Sequence, residues 1–170
     1  MKKIFRYVVL VCMFLMLVAC GKAESQKAFE KGFKETMNDI DKKMNEGNNE
    51  AAKMMGKILQ KATYVVNKVE ENGNEAQLDV TIKAVNLTKY LSEFMLSLKP
   101  LIETNMGEEA FTKATADYFS DLSKKDLDYT KVNVKIYMEK INGEWKVKNT
   151  DDILVGIFGG LEEFVGIPHN

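Results

Sequence analysis

Two periods alternate along the chain. From Ser25 the apolar positions Phe29, Phe33, Met37, Ile40 and Met44 recur at steps of three and four, one stripe on a helical face. Ser25 is the expected N-cap and Gly47 the expected stop. A second helix is predicted from about Asn49 to Lys61, with Ala51, Met55, Ile58 and Leu59 inward. The period then falls to two. "TYVVNKVEENGNEAQLDVTIKAV" carries Asn72-Gly73, the strongest short hairpin signal. Pairing outward from that turn sets Glu71 opposite Asn74, Val69 opposite Ala76, Asn67 opposite Leu78 and Val65 opposite Val80. Val65, Val69, Ala76, Leu78, Val80 and Ile82 then share a face, and Lys68, Gln77, Asp79, Thr81 and Lys83 share the other.

Helical spacing returns after Asn86, a second expected N-cap. Leu87, Leu91, Phe94, Leu98 and Leu101 form the stripe, and Tyr90, Met95 and Ile102 widen it. Pro100 should kink or divide this helix. After Gly107 another helix is expected to about Lys124, with Ala110, Phe111, Ala114, Tyr118, Phe119 and Leu122 inward. "KVNVKIYMEKINGEWKVKNT" is the second hairpin. Its Asn142-Gly143 turn sets Lys140 opposite Trp145, Glu139 opposite Lys146 and Met138 opposite Val147. Val132, Val134, Ile136, Met138, Trp145 and Val147 then share one face. Thr150 or Asp151 caps a last helix with Ile153, Leu154, Ile157, Phe158, Leu161 and Phe164 inward, ended by Gly166 and Pro168. The expected fold is α+β: two Asn-Gly hairpins joined in one antiparallel sheet packed against helices, in the order ααββ-ααββ-α. The two turns lie 70 residues apart, a spacing that suits either an internal duplication or repeated hairpin logic.

The first 19 residues stand apart from this pattern. Lys2, Lys3 and Arg6 precede a run from Tyr7 to Ala19 without a charge. That run is too short for a membrane span, which takes about 20 helical residues, and has the length of a signal-peptide core. It ends Leu17-Val18-Ala19-Cys20-Gly21. This resembles the lipobox of bacterial lipoproteins. The resemblance implies cleavage before Cys20 and a diacylglyceryl group on its thiol, with no other cofactor. Two acyl chains supply what one does not, since stable anchoring takes two. The implied organisation is a signal peptide over 1–19, a lipidated cysteine and tether over 20–24, one α+β domain over 25–166 and a tail over 167–170. The implied place is the extracytoplasmic side of a bacterial membrane.

Charge and composition narrow the chemistry. The full chain is formally -1. Losing the leader leaves 21 basic against 25 acidic side chains, a formal -4. Such a domain is not drawn to nucleic acid or to anionic lipid by charge. Cys12 leaves with the leader, so no free thiol remains for a disulfide, a nucleophile or a thiolate metal site. The single histidine, His169, has no second imidazole near it in sequence. Asp117 and Asp121, Asp151 and Asp152, and Glu162 and Glu163 read as polar faces or helix ends. "DLDY" at 126–129 lacks the further oxygen ligands of a calcium loop.

"VNVKIYMEKINGEWKVKNTDDIL" is similar to the closing hairpin of small bacterial lipoproteins with nuclear-transport-factor-2-like, cone-shaped domains, through Asn142, Gly143, Trp145, Lys146 and Val147. That resemblance implies a curved sheet wrapped on helices. Two non-catalytic roles suit the sequence, with a carboxylate-based enzyme, which would need a buried carboxylate of raised pKa, as a minor alternative. The first is a ligand-binding domain that holds a small apolar molecule or peptide in a pocket near Trp145, Val134, Phe94, Phe119 and Met138. The second is a module that docks another envelope protein through an exposed apolar face including Met54 or Met55, since methionine makes adaptable contact surfaces.

Overall fold

The structure, a computed structural model, describes residues 21–104 and 107–161. The leader, Cys20, Glu162, Glu163, Phe164, Gly166, Pro168, His169 and the side chain of Leu101 lie outside the described residues. Nine elements follow in order: α1 (Glu24–Asn45), α2 (Glu50–Leu59), β1 (Thr63–Asn72), β2 (Glu75–Val85), α3 (Leu87–Glu103), α4 (Glu108–Lys124), β3 (Tyr129–Ile141), β4 (Glu144–Val147) and α5 (Thr150–Ile157). The four strands form one antiparallel meander, β1-β2-β3-β4. The helices cover one face of it: α1 lies on β1 and β4, α2 on β2, and α5 on β2 and β3. Helix α4 packs on α2 and α3. The architecture is α+β.

Helix α1 buries Phe29, Phe33 and Met37, while Ile40 and Met44 are half-buried. It does not begin at Ser25. Ala23 occupies the cap position with no side-chain hydrogen bond, and Ser25 lies inside the first turn, fully buried. The cap comes from the end of β1 instead: the Ser25 N–H donates to Glu71 Oε1 at 2.8 Å. A carboxylate there satisfies an orphan donor and faces the positive end of the helix dipole. Glu71→Ala is expected to lower stability by about 1 kcal/mol, read from the urea midpoint at constant slope; an unchanged midpoint would show that water replaces the cap at no cost.

The second hairpin pairs Met138 with Val147, Glu139 with Lys146 and Lys140 with Trp145, and Asn142 and Gly143 both take positive φ, 53° and 85°. That is the backbone a two-residue turn of this kind needs. The first hairpin departs from expectation. Its loop is Gly73-Asn74, so Val69 faces Leu78 and Glu71 faces Ala76. A slip of two residues keeps each side chain on its expected face. The face changes farther on, at an irregularity between Val66 and Lys68. The extra residue there, Asn67, turns the rest of β1 over. Val66 and Tyr64 pair inward with Val80 and Ile82, and Val65, expected in the core, is 61% exposed.

Helices α2 and α3 begin where expected. Asn49 accepts from the Ala52 N–H and Asn86 from the Lys89 N–H. Helix α3 runs on through Pro100, which lies in its last turn and does not divide it. Helix α5 is shorter than its apolar pattern. Asn149 holds its cap position, and the helix ends at Ile157. The Gly159 N–H bonds Gly156 O and the Gly160 N–H bonds Val155 O, a Schellman closure. Gly159 sits at φ 70°, where a Cβ would lie 2.6 Å from Val85 O. Two glycines in sequence thus stop the helix well before Gly166.

One core cluster runs through the domain, from Phe29 and Ile58 through Leu78, Ile82 and Ile136 to Phe94 and Phe119.

Candidate docking surface

The insertion between the two hairpins is the helix pair α3–α4. Its inner side is firmly held. Tyr90, Phe94 and Leu98 are buried, and the Phe94 ring lies 5.0 Å from Tyr118 and 5.4 Å from Phe119 between centroids. The Tyr118 hydroxyl donates to Tyr90 O at 2.6 Å, and burial pushes its pKa above the usual tyrosine value. The Tyr90 hydroxyl accepts the Asp128 N–H at 2.7 Å. Lys89 forms an ion pair with Asp128. These contacts tie α3 to α4 and to the start of β3.

The outer side is apolar where solvent meets it. Met95 is 59% exposed, Leu96 72% and Ile102 61%. Ser92, Lys99 and Glu103 complete a shallow concave surface with them. Met95 and Ile102 were expected to widen the buried stripe. At 100° per residue they lie roughly 60–80° round from Leu87, on a flank that no described element covers. Leu96 lies nearly opposite the stripe and was not anticipated. An apolar residue on the far side of a well-formed stripe is the signal that identifies it. Phe111 on α4 was expected inside and is 44% exposed. It borders an open groove of ≈ 950 Å³ between the first turns of α2 and α4, where Asn49, Glu50, Glu108 and Thr112 also contribute.

The residues expected around a pocket are distributed differently. Phe94, Phe119 and Met138 belong to the core cluster, and Trp145 and Val134 pack against it half-buried. Trp145 lies beneath the start of α1. Lys140 Nζ is 5.6 Å from its ring centroid and 2.7 Å from Glu24 Oε2. The lysine, with a smaller contribution from Trp145, holds the Glu24 carboxyl below the usual carboxylate range. Met54 and Met55 are half-buried against the core, and Met54 Sδ accepts from Ser123 Oγ at 3.8 Å.

Three of the expected carboxylates, Asp117, Asp121 and Asp152, have polar neighbours. Asp117 pairs with Lys113 at 2.5 Å and Asp121 with Lys124 at 3.7 Å, both on the surface. Asp152 accepts from Asn149 Nδ2 at the start of α5. Among the described residues no three His, Cys, Asp or Glu side chains gather as a metal-ligand set. Among them too, no helix is long and apolar enough to cross a membrane.

Helices on one face of a four-stranded antiparallel meander, with a helical hairpin inserted at its middle, define the class. The chain belongs to the family described as a domain of unknown function, DUF5105, whose model matches residues 21–159. No curated protein matches it. Among solved structures it is similar to a "putative lipoprotein (ycdA)" of Bacillus subtilis subsp. subtilis str. 168, at 18% identity and a TM-score of 0.46. That likeness covers 64% of this chain and 35% of the other, so the chain spans about a third of that protein's length.

Proposed function

We propose that this chain is a lipid-anchored protein of a bacterial cell envelope that docks another envelope component through the apolar outer side of α3. The anchor rests on Leu17-Val18-Ala19-Cys20. Gly21 to Ala23 leave little reach between Cys20 and the start of α1, so the domain works close to the membrane surface. The observation that carries the docking role is the exposure of Met95, Leu96 and Ile102 together on one helix whose inner side is filled. Clustered exposed apolar residues, unlike scattered ones, mark interaction sites. A ligand pocket is the weaker reading, because the residues expected to line it pack in or against the core. The role is read as non-catalytic. A cone-shaped curvature of the nuclear-transport-factor-2-like kind belongs to the same proposal; it implies a shape and no chemistry.

The test is site-specific photocrosslinking in the host's own envelope, with the probe at Leu96 or Met95 and, as control, at Lys31 on the exposed side of α1. A discrete protein adduct is expected at α3 and none at Lys31. The variant Leu96→Glu/Ile102→Glu should remove the adduct from a Met95 probe while changing stability by no more than about 0.5 kcal/mol. Equal adducts at all sites, or an adduct that survives the double substitution, would refute the docking surface.

A further inference from the structure

Strand β3 is 13 residues long and β4 is four. On the side away from β2, β3 is therefore paired only over Met138–Ile141. One asparagine extends the ladder. Lys148 N–H donates to Tyr137 O at 2.8 Å, Tyr137 N–H donates to Asn149 Oδ1 at 2.8 Å, and Asn149 Nδ2 donates to Lys135 O at 2.7 Å. Asn149 thus imitates one more residue of β4. Beyond it no described residue continues the ladder.

The alternation of antiparallel pairs identifies what is left open. Ile141 and Glu144 flank the two-residue turn, and the odd-numbered residues of β3 point their backbone groups toward β4. Lys131, Asn133 and Lys135 accordingly point theirs outward. Among the described residues their three N–H groups, and the carbonyls of Lys131 and Asn133, have no partner. The side chains tell the same story. On the inner face Ile136 and Met138 are buried where β4 or its imitation stands alongside, whereas Val132 and Val134 stay half-exposed where it does not. On the outer face Lys131 and Lys135 are exposed and carry no ion pair among the described residues. Lys131 moreover sits directly opposite Lys83, a like-charge pair that disfavours the sheet by itself.

We propose that this edge receives an extended acidic segment of another protein as a fifth strand, by β-augmentation. The backbone donors and acceptors of residues 131–135 supply the pairing, and side chains on alternate faces supply the selection. An antiparallel partner would place two carboxylates, four residues apart, opposite Lys131 and Lys135. The residues next to them would lay two apolar side chains beside Val132 and Val134. A second copy of this chain fits badly. Two β3 edges joined about Asn133 would set Lys131 of one copy against Lys135 of the other, twice. This site lies apart from α3 and stands independently of the docking surface proposed there.

The probe is a fluorescein-labelled peptide with the core Glu-Val-Thr-Val-Glu, titrated into the full chain in detergent micelles. A Lys-Val-Thr-Val-Lys peptide is the control. The acidic peptide is expected to bind at least about fivefold more tightly, from two opposite-charge pairs in place of two like-charge ones. Lys131→Glu should narrow or reverse that preference. It converts the Lys83 pair to opposite charges, so the sheet is not weakened and a loss cannot be laid to unfolding. In amide exchange by NMR, residues 131, 133 and 135 should exchange fast in the free protein and slow when the peptide is bound, while 130, 132 and 134 are slow throughout. Protection of 131, 133 and 135 without peptide would overturn the proposal. Equal binding of the two peptides, or indifference to Lys131→Glu, would do the same. Concentration-dependent dimerisation that protects these amides would replace the acidic strand with a second copy. Leu96→Glu/Ile102→Glu should leave peptide binding unchanged, which separates failure here from failure of the α3 surface.

Discussion

Cys20→Ser is expected to abolish fatty-acid incorporation and to shift the chain out of the lipidated membrane pool. Serine offers a hydroxyl where the lipobox supplies a thiol for alkylation, so no thioether to a diacylglyceryl group can form. Each buried methylene contributes about 0.8 kcal/mol to anchoring, and a two-chain anchor is worth far more than any surface contact of an acidic domain. Without residues 1–19 the formal charge would be -4, 21 basic against 25 acidic side chains, which gives no compensating attraction to anionic lipid. The measurement is metabolic labelling with a radioactive or clickable fatty acid, with fractionation and the intact mass of the chain. The variant should carry no label and should keep its leader or appear in the soluble fraction. A variant that is cut, still labelled and still membrane-bound would refute the anchor at Cys20. The folded domain should be indifferent to the change, because Gly21 to Ala23 precede every element described.

Phe29→Ala is expected to have the largest effect on stability, about 3–5 kcal/mol. Phe29 is fully buried, and its ring meets Phe33 at 6.1 Å and Tyr64 at 5.3 Å between centroids. It joins α1, the longest helix described, to the edge strand β1. Removing the ring leaves a cavity between two elements that few other contacts hold together, so the site can close only by moving the helix. A loss of this size is a large part of the 5–15 kcal/mol a domain possesses. Denaturant unfolding should show the midpoint fall with the slope unchanged. A loss under about 1.5 kcal/mol would mean that Phe33 and Tyr64 collapse into the space, and that α1 is held mainly from the second hairpin, through Trp145 on β4 and Lys140 on β3. Phe33→Ala then becomes the informative companion, since that ring meets Tyr64 at 4.7 Å between centroids, tilted by 58°.

The strands and most helix faces were legible because a period of two or of three to four is a local property. The Asn142-Gly143 turn is the clearest case: turn type, register and facing pairs all follow from that dipeptide and the alternation on either side of it. What misled the reading near the first turn was also local in origin. Asn72-Gly73-Asn74 offers two overlapping two-residue loops, and the chain uses the second. The bulge at Asn67 left no apolar signature, because Tyr64-Val65-Val66 is apolar on both faces. Its visible consequence is a polar ladder across the outer face, in which Asn67 Nδ2 donates to Thr81 Oγ1 at 2.8 Å and the Thr81 hydroxyl donates to Asn133 Oδ1 at 2.7 Å.

The candidate surfaces were harder to see, for a different reason. A stripe of apolar residues shows that a helix has an inside but not how wide the covering is. Met95, Ile102 and Phe111 satisfy the same spacing as their buried neighbours, and only the arrangement of α3, α4 and α2 decides which of them water reaches. The open edge of β3 is likewise a relation between two strand lengths. Nothing in "KVNVK" announces that β4 stops short of it.

By itself the sequence determined the presence of two hairpins, the register of the second and most of the helices that flank them, since each depends on residues near one another in the chain. The tertiary structure alone decided that Glu71 caps α1, that the Asn149 side chain extends a strand from the cap position of α5, that α3 shows an apolar side to solvent and that among the described residues β3 lacks a neighbour over residues 131–135. Each of these joins groups distant in sequence, and such pairings are set by how whole elements pack rather than by the period within any one of them.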